Sequence, residues 1–266
     1  MAVEIMKRLE NKYLVDSSTF HKLQRRISQF ADLDEHNKLT DFYTVSNLYY
    51  DTDDNDLIRT SISMPKYKEK LRLRAYGVPA ETDLVYLEIK RKYNGVVSKR
   101  RTSFELREAY EFVTTGRIGQ REYMNTQVLK ELEYFIRLYA PSPKLFLAYD
   151  RRAYEGENGL RISFDTNIRT RRYDLEMEKG IYGDKLIDDD LWLLEVKVNG
   201  AIPLWLTKAL SEHKVYRQSF SKYGNEYRKY LSQEDSEGCL TPFSASQAKL
   251  QTYQYKAFLP QLASLF

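Results

Sequence analysis

The sequence predicts an α+β fold: a closed antiparallel β-barrel forming a tunnel, with a charged lumen and with helices packed on the outside. Three observations lead there. Several segments alternate charged and aliphatic residues one for one, which is the period of a strand. Other segments carry apolar residues at helical spacing. The charged strand positions are mostly Arg, Lys and Glu, without the Thr, Ser and Gln that an ordinary solvated face mixes in.

The alternation is plainest in Lys70-Leu71-Arg72-Leu73-Arg74, where three basic groups share one face and two leucines the other. Leu87-Glu88-Ile89-Lys90 pairs Glu88 with Lys90, and Leu160-Arg161-Ile162-Ser163-Phe164-Asp165 gathers Arg161, Ser163 and Asp165. Leu194-Glu195-Val196-Lys197-Val198 pairs Glu195 with Lys197, and the first strand sets Arg8, Glu10 and Lys12 on one side of Leu9. For any one such strand the commoner arrangement is a half-buried sheet with its charges in solvent. Five strands of this composition favour the other arrangement, in which a barrel gathers the charges inside and helices cover the apolar faces. So many like charges need compensation. A polyanion with metal ions supplies it, guanidinium groups gripping phosphate oxygens and carboxylates holding the metal.

Along the chain, a strand over Lys7–Val15 leads into a helix with Phe20, Leu23, Ile27 and Phe30 on one side, capped by Asp16 or Ser17. Strands follow at Val45–Asp51, Lys68–Tyr76, Val85–Lys92 and Val96–Leu106, the last two joined by a turn at Tyr93-Asn94-Gly95. A short helix over Glu108–Thr115 stops at Gly116, and a longer one over Thr126–Leu138 aligns Val128, Leu132, Phe135 and Tyr139. Further strands lie at Leu145–Tyr154, Leu160–Asp165 and Trp192–Val198. Pro203 opens a helix to Leu210, and Lys222–Leu231 forms another. Residues 1–232 thus read as one unit and 233–266 as a tail, docked or mobile.

Composition narrows the function classes. Of 266 residues, 42 are basic and 38 acidic, so the net charge of +4 does not itself imply nucleic-acid binding. No apolar run is long enough for a membrane span, and the N-terminus lacks a signal-peptide pattern. The single cysteine, Cys239, suits a reducing cytoplasm. His21, His36 and His213 are scattered without zinc spacing, Gly180–Lys185 is too short for a phosphate-binding loop and reads as a turn, and no serine nucleophile elbow occurs.

The segments Glu10-Asn11-Lys12-Tyr13-Leu14-Val15, Ser46-Asn47-Leu48-Tyr49-Tyr50-Asp51-Thr52, Lys70 to Arg74, Leu87-Glu88-Ile89-Lys90-Arg91-Lys92 and Ser98-Lys99-Arg100-Arg101 occur in that order. Tyr149-Asp150-Arg151-Arg152-Ala153-Tyr154, Arg161 to Thr166, Leu194 to Lys197 and Ser219-Phe220-Ser221-Lys222-Tyr223 continue the series. Together they resemble the VTC domain, the polyphosphate polymerase domain of the vacuolar transporter chaperone family, within the triphosphate tunnel metalloenzyme (CYTH-like) superfamily. The resemblance implies that Lys12, Arg72, Arg74, Lys90, Lys99, Arg151, Arg161 and Lys222 bind the phosphates of nucleotide and product. Lys12, Arg72, Arg74, Lys90, Arg151, Arg161 and Lys222 are the residues expected to act in catalysis. Arg101 joins the phosphate-binding set by sharing a face with Lys99, and Lys197 by sharing one with Glu195. Glu195 matches the family's metal-binding glutamate, with Glu10 and Glu88 as helpers, for Mn²⁺ or Mg²⁺. Ser219 stands where some eukaryotic members carry a lysine. The SPX domain and transmembrane region that accompany this domain in eukaryotic relatives are not found in the sequence, so control by inositol phosphates and direct translocation of product are not expected.

The resulting expectation is a metal-dependent phosphotransferase that moves the γ-phosphoryl group of ATP onto a growing polyphosphate chain. A triphosphatase on the same scaffold and a non-catalytic polyphosphate-binding module are the alternatives. The expected partners are ATP and inorganic polyphosphate, not nucleic acid. The expected location is the cytoplasm, with attachment to the inner face of a membrane through a partner protein left open.

Overall fold

A computed structural model describes residues 8–94 and 96–236. The chain divides into two units, Met1–Tyr227 and Arg228–Phe266, and the fold that follows is that of the first. From residue 237 on, the expected tail lies outside the described residues.

Strand β1 (Arg8–Asp16) runs straight into helix α1 (Ser17–Ile27), because Asp16 at the junction accepts a hydrogen bond from the Thr19 amide at 2.7 Å. Strand β2 (Ala31–Leu33), a 3-10 turn at Glu35–Asn37, strand β3 (Tyr43–Asp51) and helix α2 (Asp56–Ile62) follow. Neither β2 nor α2 was expected. Helix α2 is only seven residues long, and its first amides are satisfied from outside it: the Asp51 carboxylate accepts from Leu57 at 2.8 Å and Ile58 at 2.9 Å. Strands β4 (Tyr67–Tyr76), β5 (Leu84–Tyr93) and β6 (Val96–Glu105) form a meander that ends in helices α3 (Leu106–Thr115) and α4 (Thr126–Tyr139). Helix α3 stops at Gly116, whose φ of 67° is the left-handed conformation that closes a helix.

Strands β7 (Ser142–Gly156) and β8 (Arg161–Arg171) are longer than their apolar runs suggested. Strand β9 (Asp184–Lys185), β10 (Leu191–Asn199), α5 (Leu204–Glu212) and α6 (Lys222–Ser236) complete the order. Of the expected turn over residues 180–185, the part before β9 is irregular and Asp184–Lys185 is the strand itself; the Arg171 guanidinium donates to the carbonyls of Gly180 and Tyr182 there.

All pairings are antiparallel, in the order β1-β10-β8-β7-β3-β4-β5-β6, with β2 on β7 and β9 on β8. The expected closed barrel is not formed among the described residues: β1 and β6 end the sheet and do not pair with each other. Instead, Gln218 meets the free edge of β1, its amide donating to the Lys12 carbonyl at 2.8 Å. The sheet is nonetheless strongly curved. Six strand steps at ~4.8 Å would put β1 and β5 about 29 Å apart if flat, yet against burial Lys90 of β5, with Lys197 and Lys12, draws the Glu10 carboxyl of β1 below its usual range.

The apolar cores lie on the outer side of this curve. One joins Leu71 and Leu73, Val85, Leu87 and Ile89, and Phe104 to Phe112 of α3 and Leu132 and Phe135 of α4. The other joins Tyr13 and Val15, Ile162 and Phe164, and Leu194 and Val196 to Phe20, Leu23 and Ile27 of α1 and Leu206 of α5. Strands β1, β4, β5, β8 and β10 therefore give aliphatic faces to the helices, and Lys12, Arg72, Glu88, Asp165 and Glu195 lie at alternate positions on the concave side. Leu87 is fully buried in the first core. Leu87→Ala should lower unfolding free energy by ~2–5 kcal/mol, read by denaturant melts, while anion binding per folded molecule stays intact. A loss below 1 kcal/mol would place Leu87 on the wrong face.

Candidate functional site

Pairing register carries the charged positions of neighbouring strands onto one surface, since residues directly opposite across an antiparallel pair point the same way. On one wall, Arg72 of β4 lies opposite Glu88 of β5, and Glu88 opposite Arg101 of β6. The next row is Lys70–Lys90–Lys99, and Arg74 lies opposite Tyr86. On the other wall, Lys12 of β1 faces Glu195 of β10, and Glu10 faces Lys197. Glu195 lies opposite Ser163 of β8, and Arg151 of β7 lies opposite Asp165.

Glu88, Asp165 and Glu195 are the most buried charged members and each is held by cations. Glu88 accepts from Arg72 Nε at 2.7 Å, with Arg72 Nη2 also 2.7 Å and Lys99 Nζ 2.6 Å away. Burial opposes its charge, but Arg72, Arg74 and Lys99 outweigh burial and lower its pKa. Asp165 takes a bidentate pair from Arg151, at 2.6 and 2.8 Å, and a further hydrogen bond from Lys222 at the start of α6. Burial raises its pKa less than Arg151 and Lys222 lower it. Glu195 lies 3.1 Å from Lys197, 3.3 Å from Lys12 and 3.6 Å from Lys222. Against burial, these lysines hold it well below the usual carboxylate range. Burial would lower Lys12, yet Glu195 and Glu10, at 3.3 Å each, raise it. Arg74 is fixed by Asn47 at 3.0 Å and the Tyr149 hydroxyl at 3.2 Å.

The lysine row behaves differently. Lys90 and Lys99 are exposed and Lys70 is half-buried. Burial, with Lys90, Lys68 and Lys12 nearby, lowers Lys70 to about 7. Burial lowers Lys99 to about 7 as well; Glu88 opposes this while Arg72 and Arg74 add to it. Burial lowers Lys90 to about 8, with Glu10 opposing and Lys12 and Lys197 reinforcing. Three neighbouring amines with lowered pKa values mark a stretch of the face where positive charge is crowded.

The structure therefore brings Arg72, Arg74, Glu88, Lys90 and Lys99 together on one wall, and Glu10, Lys12, Arg151, Glu195, Lys197 and Lys222 on the other. Arg101 lies at the margin, its guanidinium 4.6 Å from the Tyr86 ring. Arg161 stands apart: it binds Glu155 at 2.6 Å and Asp34 at 2.8 Å. Asp165 and Lys70 were not among the expected functional residues. Asp165 was signalled by the alternation from Arg161, and Lys70 by that from Arg72. Tyr223 was a third omission; its hydroxyl donates to Asp51 and its ring lies 5.6 Å from Lys70 Nζ.

Residues 7–231 match the VTC domain family. The chain belongs to that family. Among curated proteins, subunit 4 of the vacuolar transporter chaperone complex of Schizosaccharomyces pombe is 25% identical, covering 67% of this chain. The VTC-domain chain spans 30% of that relative's length. Among solved structures, a Bacillus halodurans adenylate cyclase candidate aligns with 91% of this chain and 97% of its own, at 16% identity and a TM-score of 0.41. A Hippeastrum adenylyl cyclase candidate with a dominant triphosphatase activity covers 88% of this chain and 98% of its own, at 17% identity and a TM-score of 0.46. Among the described residues no helix is long and apolar enough to cross a membrane.

A divalent cation fits this donor set only in shared form. Among the described residues no three His, Cys, Asp or Glu side chains converge as a metal cage. Glu195 and Glu10 stand on adjacent strands, each 3.3 Å from Lys12, and one or two carboxylates completed by phosphate oxygens and water is how Mg²⁺ is commonly held.

Two outcomes check this electrostatic picture. Raising pH from about 7 to about 9 should weaken tripolyphosphate binding about tenfold or more, because the bound anion needs Lys70, Lys90 and Lys99 protonated. Unfolded lysines titrate near ~10.4, so the unfolded chain binds more protons in this window and the unliganded protein should gain stability as pH rises. Affinity that does not vary with pH would show that the row carries no bound anion. Second, Arg72→Ala strips a buried carboxylate of its main partner and should cost ~3 kcal/mol of stability. The double variant Arg72→Ala/Glu88→Gln should recover much of it in thermal melts, and additive losses would mean the two do not act as a pair.

Proposed function

We propose that this VTC-domain protein is a polyphosphate polymerase that transfers the γ-phosphoryl group of ATP to the terminal phosphate of a growing chain. The observation that carries the proposal is the concave face itself: Arg72, Arg74, Arg151, Lys12, Lys90, Lys99 and Lys222 converge there and outnumber the carboxylates that anchor them. That surplus of positive charge suits a linear run of phosphates longer than one nucleotide. Membership of the VTC domain family points the same way.

Phosphoryl transfer asks a protein mainly for alignment and charge neutralisation. Arg72 and Arg74, fixed by Glu88 and by Asn47 with Tyr149, are set to hold the donor triphosphate from one wall. Arg151 and Lys222, both locked on Asp165, meet it from the other. The bond between the β-γ bridging oxygen and the γ-phosphorus breaks, a terminal phosphate oxygen of the chain bonds to that phosphorus, and ADP leaves. The acceptor is already an oxyanion, so no general base is required. The guanidinium and ammonium groups offset charge on the equatorial oxygens without reorganising. A divalent cation shared between Glu195, Glu10 and the phosphates would supply further charge neutralisation at the transferring group.

The purified protein incubated with ATP and Mn²⁺ or Mg²⁺ should yield ADP and long polyphosphate, resolved on a gel, with neither forming in chelator. Glu195→Gln should lower turnover at limiting metal at least about a hundredfold, with partial recovery at excess metal. Release of orthophosphate alone would reassign the protein as a triphosphatase, and wild-type turnover by Glu195→Gln would remove Glu195 from metal binding.

A further inference from the structure

The concave face changes chemistry along its length in a fixed sequence. On β4, inward positions run Lys70, Arg72, Arg74, Tyr76, and the residue opposite Arg74 on β5 is Tyr86. Ammonium gives way to guanidinium and guanidinium to aromatic rings, each step ~7 Å along the strand.

The rings form one cluster with Tyr43 of β3 and His36 of the 3-10 turn. His36 stacks on Tyr76 at 4.6 Å and 22°, and lies 4.9 Å from Tyr43. Tyr76 meets Tyr43 at 6.0 Å and Tyr86 edge-on at 6.4 Å. The Arg101 guanidinium covers Tyr86 at 4.6 Å. An aromatic cluster that served only packing would be buried, but Tyr76 is 40% exposed and His36 is exposed too. The exposed Tyr76 stands one strand step beyond Arg74, a distance on the order of the span from the α-phosphorus of a nucleotide to its base.

We infer that His36 and Tyr76, with Tyr86 and Arg101 packed behind them, form a stacking platform for the purine base of the nucleoside triphosphate, at the end of the face opposite the lysine row. This rests on the phosphate-binding reading of Arg72 and Arg74 and extends it. The platform fixes the direction of the donor: base on the rings, α-phosphate at Arg74, γ-phosphate toward Arg72 and the lysines. Stacking engages the π-face that every base offers, so affinity for the base arises with weak discrimination between ATP and GTP.

The test compares ATP, ribose 5-triphosphate and inorganic tripolyphosphate as ligands of the full chain by equilibrium binding. ATP should bind the wild-type protein about tenfold more tightly than ribose 5-triphosphate. Tyr76→Leu should erase that advantage while leaving affinity for ribose 5-triphosphate and for tripolyphosphate within twofold. Equal binding of ATP and ribose 5-triphosphate by wild type would overturn the platform and leave the phosphate site standing; that comparison needs no variant to fold. A Tyr76→Leu loss shared equally by all three ligands would also overturn it, since the ring would then support the arginines and not the base. Failure of all three to bind wild-type protein would remove the phosphate-binding reading and the platform with it.

Discussion

Buried carboxylates make it possible for this many cations to face one another across a single curved sheet. Glu88, Asp165 and Glu195 are only 1%, 0% and 6% exposed, and each ties cations from different strands or from α6. Without them the arginines and lysines would repel, and the curve that brings β1 toward β5 would open. With them the basic side chains are fixed at the root while their positive charge still dominates the open side. The same ion pairs therefore serve cohesion and preorganisation, as charges held in place before a ligand arrives need little rearrangement on binding.

Stability and chemistry are segregated by the two-residue period of the strands. Leucines, valines and phenylalanines of odd or even positions meet α3 and α4 on one half and α1 and α5 on the other. The alternate positions hold the ionic face. A one-residue slip in any pair would move charges into a core and leucines onto the ionic face, so register is defended on both sides of the sheet at once.

That period is also why much of the site could be read from the linear sequence. Arg72, Arg74, Glu88, Lys90, Glu195 and Lys197 were assigned to one face from alternation, and the pairings place them so. The end of the sheet was not legible. Whether β1 pairs with β6 or receives Gln218 depends on residues 200 positions away in sequence, and no local pattern encodes that choice. Helix α2 was missed for a related reason: its cap is Asp51, on the preceding strand. Arg161 shows the reverse case. Its alternation is sound, yet Asp34, in a turn far earlier in the chain, draws its guanidinium aside. The lysine row and the aromatic cluster needed register between three strands, because Lys70, Lys90 and Lys99 become neighbours only when β4, β5 and β6 pair.

That β1 and β6 do not pair with each other among the described residues alters what kind of enclosure this sheet is. A ring of strands sealed by backbone hydrogen bonds admits a long polymer only by one of its ends, as a needle admits thread. A curved sheet whose first and last strands share no ladder has a seam, and a seam can part without breaking a strand pairing. Side chains and the crossing at Gln218 hold it, and such links open at far lower cost than a ladder.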